Sequence, residues 1–213
     1  MPTTILLVRH GETAWNRAEI FRGVYDIPLN DNGRLQAGHL ARSLASRPID
    51  VAYSSPLSRA RETACIVLEP HGIAATLHDG LTDFNYGAWT GLEERAVATQ
   101  WPAEHARWLA EPHRARPPDG DTLQEVFDRA FGALEGIASE HDGCTVALFA
   151  HRVVNKLLVL GMLTLGLERF PFIRQDNCCL NEFQSTARGY VVVTLNDTAH
   201  IRRAGADLLK ADF

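Results

Sequence analysis

Short apolar runs alternate with longer segments of helical periodicity along most of the chain. Three runs rich in β-forming residues predict buried strands, at Thr3–Val8, Asp50–Tyr53 and Cys144–Ala150. Two more strands, Cys178–Gln184 and Tyr190–Leu195, are predicted on either side of a turn near the carboxyl end. Because strands and helices alternate, we expect an α/β fold, a three-layer α/β/α sandwich around a mostly parallel central sheet.

The predicted helices follow from apolar spacing and from capping residues. Ser55 is the expected N-cap of the second helix, with Pro56 at the first helical position. A capping-box pattern, Thr122-Leu-Gln-Glu125, marks the start of the third helix. The predicted helices are Asp31–Ala45, a segment from Ser55 to about Glu69, a long helix beginning at Thr122, and Arg152–Gly166.

The middle of the chain has a different pattern. Asp79–Gly91 is typical of a loop with aromatic residues, and Gln100–Pro118 holds four prolines and two tryptophans. We expect the segment over residues 79–120 to form a helical and loop-like cap over a functional site. The length of 213 residues otherwise suits a single domain, over residues 1–213.

The charge of the chain narrows the range of partners. Lys and Arg number 21 against 26 Asp and Glu, which gives a net charge of -5. A general nucleic-acid binder usually carries a basic excess, so nucleic acid is not an expected partner. An anionic substrate remains compatible with this composition if basic side chains of the protein cluster at its binding site.

The apolar and cysteine patterns bear on the compartment. The first residues lack the basic start, long apolar stretch and cleavage site of a signal peptide. The longest apolar stretch, Leu157–Leu167, spans eleven residues and is too short to cross a bilayer, so no membrane partner is expected. We expect reduced thiols and a cytoplasmic protein, because no C-x-x-C spacing occurs among Cys65, Cys144, Cys178 and Cys179.

Histidine follows two of the predicted buried strands. His10 comes after the strand at Thr3–Val8, and His151 after the strand at Cys144–Ala150. Ligands of open α/β sheets bind beyond the carboxyl ends of the strands, so two such histidines can converge on one site. The alternative for each histidine alone is a hydrogen-bonded structural role.

Arginines accompany these histidines. Arg59 lies about one turn inside a predicted helix, where a cation opposes the helix dipole at a cost of roughly 0.3–1 kcal/mol. A bound anion at that helix end reverses the sign of this effect. With Arg9, Arg22 and Arg152 it forms a local set of cations in an acidic protein, and phosphate is the natural ligand for such a set. The alternative is that nearby glutamates offset the arginine charges.

Five motifs follow one another in order along the chain. They are Leu-Val-Arg-His-Gly-Glu-Thr-Ala-Trp-Asn at 7–16, Phe-Arg-Gly at 21–23, Ser-Ser-Pro-Leu-Ser-Arg-Ala-Arg-Glu-Thr-Ala at 54–64, Leu-Thr-Asp-Phe-Asn-Tyr-Gly-Ala-Trp-Thr-Gly at 81–91, and Ala-His at 150–151. In this order they resemble the histidine phosphatase superfamily, in its phosphoglycerate-mutase-like branch.

The resemblance implies a reaction that uses neither a metal ion nor another cofactor. His10 would be the nucleophile that attacks phosphorus and forms a phosphohistidine. Asp83 would protonate the leaving oxygen and later take a proton from water. The residues implied to hold the phosphoryl oxygens are Arg9, Arg59, Asn16 and His151.

Some positions depart from the family pattern. The acid position usually holds glutamate, so the shorter Asp83 requires its loop to approach more closely; the alternative is that Asp83 only caps the loop. Arg152 replaces a common glycine, and Arg22 stands where a smaller polar residue is frequent. We predict substrate contacts beyond the phosphoryl group for Arg22, Gly23, Tyr86 and Arg152.

Three functions are compatible with the resemblance. The first is a phosphomonoesterase acting on small phosphorylated metabolites. The second is a 2,3-bisphosphoglycerate-dependent phosphoglycerate mutase; mutases place a lysine soon after the Gly-Leu of the acid loop, where this chain has Glu93 and Glu94. The third is a non-catalytic binding or regulatory member, which the intact set of site residues disfavours. A homodimer is expected, because dimers are common among proteins of this type.

Overall fold

The computed structural model describes residues 2–204, which contain a six-stranded sheet. The strands lie side by side in the order β3-β2-β4-β1-β5-β6. In chain order they are β1 (Thr3–Arg9), β2 (Val51–Ser54), β3 (Thr76–Leu77), β4 (Thr145–Ala150), β5 (Leu180–Thr186) and β6 (Gly189–Asp197).

The central strands explain the apolar runs of the sequence. Strands β1 to β4 run parallel, whereas β5 is antiparallel to β1 and β6 is antiparallel to β5. The middle strands β1 and β4 are buried along nearly their whole length, on both faces of the sheet. Strands buried in this way have no polar face, which is why alternation is absent there. The prediction of a mostly parallel central sheet is confirmed.

Helices cover both faces of this sheet. Leu6 and Val8 of β1 pack against one group of helices, and Ile5 and Leu7 pack against the other. The first group contains α2 (Asp31–Leu44), α3 (Ser58–Leu68) and α8 (Ala199–Arg203); the second contains α6 (Leu123–Glu140) and α7 (Arg152–Met162). The predicted three-layer architecture is therefore confirmed. No helix within residues 2–204 combines the length and apolar character needed to cross a membrane.

The segment over residues 79–120 is built from short helical pieces joined by loops. Its Phe84 ring lies 4.8 Å from Tyr86 and 5.3 Å from Trp108, centroid to centroid, and Trp89 is fully buried. These aromatic contacts anchor the loop that precedes them, which carries Asp83. The pieces are three 3-10 turns, Asp79–Leu81, Gly87–Trp89 and Pro112–Arg114, and two helices, α4 (Glu94–Gln100) and α5 (Pro102–Ala110). A covering role over substrate stays a prediction.

The start of α3 differs from the prediction. The helix begins at Ser58, and its N-cap is Leu57, which has no capping side chain. Asp26 supplies the cap instead, because its Oδ1 accepts a hydrogen bond from the Ser58 backbone N–H at 2.7 Å. The prediction of Ser55 as N-cap and Pro56 as first helical residue is wrong, since a side chain from another loop caps this helix.

The start of α6 agrees with its capping-box pattern. The hydroxyl of Thr122 accepts a hydrogen bond from the Glu125 backbone N–H at 3.2 Å. In return, Glu125 Oε2 accepts a hydrogen bond from the Thr122 backbone N–H at 2.7 Å. These two backbone N–H groups at the start of α6 therefore have hydrogen-bond partners within the same short segment, which is why the sequence predicts this start correctly.

Two further predicted elements extend beyond the helix or strand that the structure shows. Helix α7 ends at Met162 rather than at Gly166, and Thr164 lies beyond it with φ of 54°. Strand β5 begins at Leu180, because Cys178 also adopts a positive φ, 54°. A left-handed residue cannot continue a helix or a strand, so each element stops before or starts after it.

Candidate active site

The two histidines that follow buried strands lie next to each other. Strands β1 and β4 are paired neighbours with Arg9 opposite Ala150. The next residues, His10 and His151, therefore leave the sheet side by side. Their ring centroids are 5.3 Å apart, and both side chains are fully buried. The structure brings the two histidines together at one sheet edge, as the sequence pattern predicts.

A backbone carbonyl fixes the tautomer of His10. Its Nδ1 lies 2.6 Å from the carbonyl oxygen of Gly11. A carbonyl oxygen only accepts, so Nδ1 carries the proton and Nε2 carries the lone pair. Nε2 has no hydrogen-bond partner among residues 2–204. Burial lowers the pKa of His10 well below its ordinary value, and Arg59 and Arg9 add to the effect. The imidazole is therefore neutral at physiological pH.

Arg59 is a firmly held cation of the site. Its Nη2 donates to the carbonyl oxygen of Gly23 at 2.7 Å and to Asp83 Oδ2 at 2.9 Å, and its Nη1 donates to the carbonyl oxygen of Tyr25 at 2.9 Å. Burial lowers the pKa of Arg59 to about 10. The guanidinium thus stays charged at neutral pH and cannot rotate away without losing several hydrogen bonds.

Arg9 is held by the loop that precedes β5. Its Nη1 donates to the backbone carbonyl of Gln175 at 2.6 Å. The side chain of Gln175 is held in turn by Asn181, at 2.7 and 2.8 Å. Both amides are buried. The loop before β5 therefore determines where the Arg9 guanidinium lies.

His151 contacts residues on both sides. Its Nε2 lies 2.8 Å from the Ser55 hydroxyl, and its Nδ1 lies 3.6 Å from Asp83 Oδ2. Burial lowers the pKa of His151 well below its ordinary value; the Asp83 carboxylate opposes this shift, and Arg59 adds to it. A neutral His151 therefore faces His10 at physiological pH.

Asp83 is an ionised carboxylate at neutral pH, because its pKa lies below the ordinary value. Burial by itself raises its pKa, but the positive charges of His151, Arg59 and Arg22 outweigh burial and lower it. Its Oδ1 also accepts the Phe84 backbone N–H at 2.9 Å.

A family model assigns the chain. The model described as histidine phosphatase superfamily (branch 1) matches residues 5–198. The chain belongs to this superfamily. The family and the fold predicted from the motifs are therefore confirmed.

Two relatives of this histidine phosphatase are named for different activities. Phosphoserine phosphatase 1 of Hydrogenobacter thermophilus is 31% identical over 197 residues, which is 92% of this chain and 93% of that protein. GpmB of Yersinia pestis, named a "probable phosphoglycerate mutase", is 30% identical over 215 residues, 97% and 98% of the two chains. The first name agrees with the preferred function, and the second agrees with the alternative.

Solved structures share the architecture. YhfR of Bacillus stearothermophilus superposes with a TM-score of 0.89 and 28% identity, over 93% of this chain and 99% of that one. A mutant phosphoserine phosphatase of Entamoeba histolytica in complex with phosphoserine has a TM-score of 0.83 and 24% identity, over 93% and 99%. At the latter identity the comparison supports the fold alone.

Gly23 lets the acid loop of this histidine phosphatase approach the arginines. The residue adopts φ of 48°, and a Cβ placed on it would lie 2.6 Å from the carbonyl oxygen of Phe84. Only glycine combines this conformation with such a close contact. The loop that carries Asp83 therefore packs closely on Gly23; a closer approach than in relatives with glutamate stays a prediction.

The remaining predicted substrate contacts surround this centre. Asn16 is buried, and its Oδ1 accepts hydrogen bonds from the backbone and hydroxyl of Thr13, both at 2.9 Å. Arg22, Tyr86 and Arg152 line one small cavity together with Asp83. Substrate contact by any of these residues stays a prediction.

Several residues that position the site have no local sequence signal. Gln175 holds Arg9 through its backbone, and Asp26 caps the helix that carries Arg59. Ser55 was singled out, but as a helix cap rather than as the partner of His151. These contacts join segments that are far apart in the chain, so only the fold reveals them.

Metal ligation has no evident place in this arrangement. Within residues 2–204, no group of three or more His, Cys, Asp or Glu side chains is placed to hold a metal ion. The cations that surround His10 are guanidinium groups, and their charge is permanent at physiological pH. The groups available to an anion here are therefore arginine N–H and imidazole nitrogen atoms.

Proposed function

We propose that this protein is a phosphomonoesterase that hydrolyses small phosphorylated metabolites through a phosphohistidine on His10, without a metal ion. One observation carries the proposal. The lone pair of His10 Nε2 is directed into a buried, cation-lined site, and the proton that would block it is held on Nδ1 by a carbonyl oxygen. A neutral imidazole in that tautomer is a ready nucleophile for phosphorus.

In the first step, Nε2 of His10 attacks phosphorus, and the bond from phosphorus to the ester oxygen breaks. The transferred phosphoryl group carries its charge on three equatorial oxygens. Arg9 and Arg59 stabilise these oxygens by charge, and His151 and Asn16 by hydrogen bonds. The arginines are already oriented by backbone carbonyls, so little reorganisation is needed as charge develops.

Asp83 acts as the general acid in the first step and as the general base in the second. It donates a proton to the departing ester oxygen, which leaves as an alcohol, and the carboxylate then accepts a proton from the attacking water. The P–N bond breaks, inorganic phosphate leaves, and His10 is restored. Because His151, Arg59 and Arg22 lower the pKa of Asp83, the proton arrives with the substrate, whose negative charge offsets the arginines.

Mutase activity is the competing proposal, and the relative GpmB gives a reason to test it. A mutase needs a cation for the substrate carboxylate. At the position that holds lysine in mutases, Glu93 pairs with Arg95 at 2.6 Å and Glu94 lies 3.1 Å from His105. Neither of these acidic side chains can serve as the cation for a substrate carboxylate. The acid loop therefore favours hydrolysis over transfer between carboxylated positions.

The first prediction separates the proposed functions. Purified protein is expected to hydrolyse p-nitrophenyl phosphate in the presence of EDTA, with inhibition by vanadate, which mimics the transferring phosphoryl group. Phosphate release should exceed the interconversion of 2- and 3-phosphoglycerate, measured with and without 2,3-bisphosphoglycerate. Faster interconversion than release would establish a mutase. A folded protein that binds vanadate but turns over neither substrate would be a non-catalytic member.

The second prediction concerns Asp83 and pH. The reactive complex of enzyme and substrate carries one transferable proton for the leaving oxygen. Either the substrate phosphate, whose second pKa is about 6, brings this proton, or Asp83 already holds it. We therefore expect kcat/KM of the wild type to fall about tenfold per pH unit above pH ~6. Asp83→Asn should lose this slope. Its kcat should drop by roughly 10²–10³ on alkyl phosphates, and by less on p-nitrophenyl phosphate, whose leaving group needs little protonation.

Asp128→Asn, which changes an exposed carboxylate on α6, is the matched control and should retain the wild-type profile. Vanadate should bind to Asp83→Asn at least as tightly as to the wild type, since a negative charge has been removed. Equal losses on alkyl and p-nitrophenyl phosphates would assign the proton transfer to another group.

Two further predictions concern the protein outside its site. Cys65, Cys144, Cys178 and Cys179 are all free thiols. The expected cytoplasmic location stays a prediction, which fractionation of cells that express the protein tests. The expected homodimer stays a prediction. Analytical ultracentrifugation of the purified chain tests it directly.

A further inference from the structure

The hydroxyl of Ser55 lies between a backbone N–H group and the imidazole of His151. Its Oγ accepts a hydrogen bond from the Leu57 N–H at 3.3 Å, and it lies 2.8 Å from His151 Nε2. Ser55 is fully buried, and its own N–H donates to the carbonyl oxygen of Phe149 on β4 at 2.9 Å. Because β4 leads directly into His151, the hydroxyl and the imidazole are held on the same framework.

The partners of this hydroxyl determine where its proton goes. One lone pair of Oγ accepts the Leu57 N–H, so the hydroxyl proton needs an acceptor elsewhere. In the part of the chain that the structure describes, that acceptor is His151 Nε2. A buried donor left without an acceptor costs about 1–3 kcal/mol. The Ser55 hydroxyl therefore donates to Nε2, and Nε2 carries a lone pair.

The proton of His151 is consequently on Nδ1. Burial lowers the pKa of His151 well below its ordinary value, so the ring carries a single proton at physiological pH. Its Nδ1 lies 3.6 Å from Asp83 Oδ2 and has no hydrogen-bond partner among residues 2–204. An N–H group suits this position, because a lone pair there would face an oxygen of an ionised carboxylate.

The opposite tautomer is unfavourable at both ring nitrogens. A proton on Nε2 would make the Ser55 oxygen accept from His151 and from Leu57 together, and the hydroxyl proton would have no acceptor. The lone pair on Nδ1 would at the same time face Asp83. These two arguments use different atoms and give the same tautomer.

We infer that Ser55 is a positioning residue, whose hydroxyl keeps the His151 proton on Nδ1 so that this nitrogen donates a hydrogen bond to the transferring phosphoryl group. The inference rests on the proposed phosphatase function and specifies what makes His151 a donor. The two histidines then take different roles from different partners. The Gly11 carbonyl leaves His10 Nε2 with a lone pair for attack, and the Ser55 hydroxyl leaves His151 Nδ1 with a proton to donate.

Nitrogen NMR distinguishes the two tautomers, because protonated and unprotonated ring nitrogens resonate in separate ranges. The chain has nine histidines, so protein labelled with ¹⁵N-histidine is compared with His151→Gln, whose spectrum lacks the His151 signals. We expect wild-type His151 to show a protonated Nδ1 and an unprotonated Nε2. The measurement needs neither substrate nor turnover.

Three variants test whether Ser55 places this proton. Ser55→Ala removes the donor, so we expect both nitrogens of His151 to share the proton and Nε2 to shift toward the protonated range. Asp83→Ala should leave the proton on Nδ1, because 3.6 Å is too long for a hydrogen bond. Ser54→Ala is the matched control and should keep the wild-type spectrum. Ser54 is equally buried, but its hydroxyl donates to the carbonyl oxygen of Ser55 at 2.9 Å.

Kinetics measure what the tautomer contributes to turnover. Removing one preorganised donor to a reacting group costs about 10²–10³ in kcat. Ser55→Ala keeps the His151 ring and changes only its proton, so we expect a smaller loss, roughly 10- to 100-fold in kcat for p-nitrophenyl phosphate. KM should change less, because these hydrogen bonds matter most where charge develops. Ser55→Thr keeps the hydroxyl and should retain both the tautomer and most of the turnover.

Two results would overturn the inference. A wild-type spectrum with the proton on Nε2 would mean that Ser55 accepts from His151 rather than donates to it. A proton that stays on Nδ1 in Ser55→Ala would mean that the hydroxyl does not place it, and its loss in Asp83→Ala would assign it to the carboxylate. Failure of the proposed phosphatase has another signature, which is no turnover of any phosphomonoester and no phosphohistidine, whatever the tautomer of His151.

Discussion

Replacing His10 with alanine is expected to lower kcat/KM for p-nitrophenyl phosphate by about 10⁴-fold or more, because the attacking nitrogen is lost. Wild-type protein quenched during turnover of a ³²P-labelled substrate should carry an acid-labile, base-stable label, as phosphohistidine does. His10→Ala should carry none. The measurement is mass spectrometry or scintillation counting of the quenched protein, together with steady-state kinetics.

The controls for this variant address folding and the identity of the histidine. His10→Gln keeps most of the buried volume and should be equally inactive while melting near the wild-type temperature. His39→Ala changes a histidine on α2 and should label normally. A label that persists in His10→Ala and maps to His151 would reverse the assignment, since both rings face the same space.

Arg59→Met is expected to produce the second large loss, for a different reason. Methionine has a similar length but no charge, so one of the preorganised donors to the phosphoryl oxygens disappears, at a cost of about 10²–10³ in kcat/KM. The buried Asp83 carboxylate also loses its 2.9 Å partner. Breaking a buried pair on one side destabilises a protein by about 3 kcal/mol. Kinetics and urea unfolding measure the two effects separately.

The double variant Arg59→Met/Asp83→Asn distinguishes these effects. Removing both partners leaves no uncompensated buried charge, so it should unfold at a higher urea concentration than Arg59→Met alone while remaining as inactive. Arg59→Lys keeps the charge, but a single ammonium cannot reach Asp83, Gly23 and Tyr25 together. Full activity in Arg59→Lys would show that charge alone matters and that the fork of hydrogen bonds does not.

The parts of the fold that the sequence predicts are those governed by local chemistry. Strands β1 and β4 are buried on both faces, so each is an uninterrupted apolar run. Helix α6 begins where Thr122 and Glu125 cap each other. In both cases the residues that decide the structure lie within one short window, which is what a pattern can capture.

The predictions fail where the structure of a segment depends on residues that are distant in the sequence. Helix α3 starts at Ser58 because Asp26, more than thirty positions earlier, accepts its N–H. Strand β3 is two exposed residues, Thr76 and Leu77, held only by pairing with β2. No periodicity exists over two residues, and no local rule connects Asp26 to a helix end. Sequence patterns therefore predict neither feature.

The candidate site shows the same division. Both histidines and Arg59 were identified as chemistry-bearing residues from their positions after strands and within a helix, and their roles in catalysis are proposals. The support for Arg9 from Gln175, and the contact of Ser55 with His151, were not predicted. These supports depend on how loops from separate parts of the chain meet above the sheet.

The pairing of β1 with β4 has a consequence for how proteins of this design diverge. Hydrogen-bonded strands lie about 4.8 Å apart, and the two imidazole centroids are 5.3 Å apart. The gap between the rings thus follows mainly from the spacing of the two paired strands that carry them. We expect insertions or replacements over residues 79–120 that retain Asp83 to leave that gap unchanged. Descendants of such a chain can acquire new alcohols as substrates while inheriting, unaltered, the spacing on which the phosphoryl step depends.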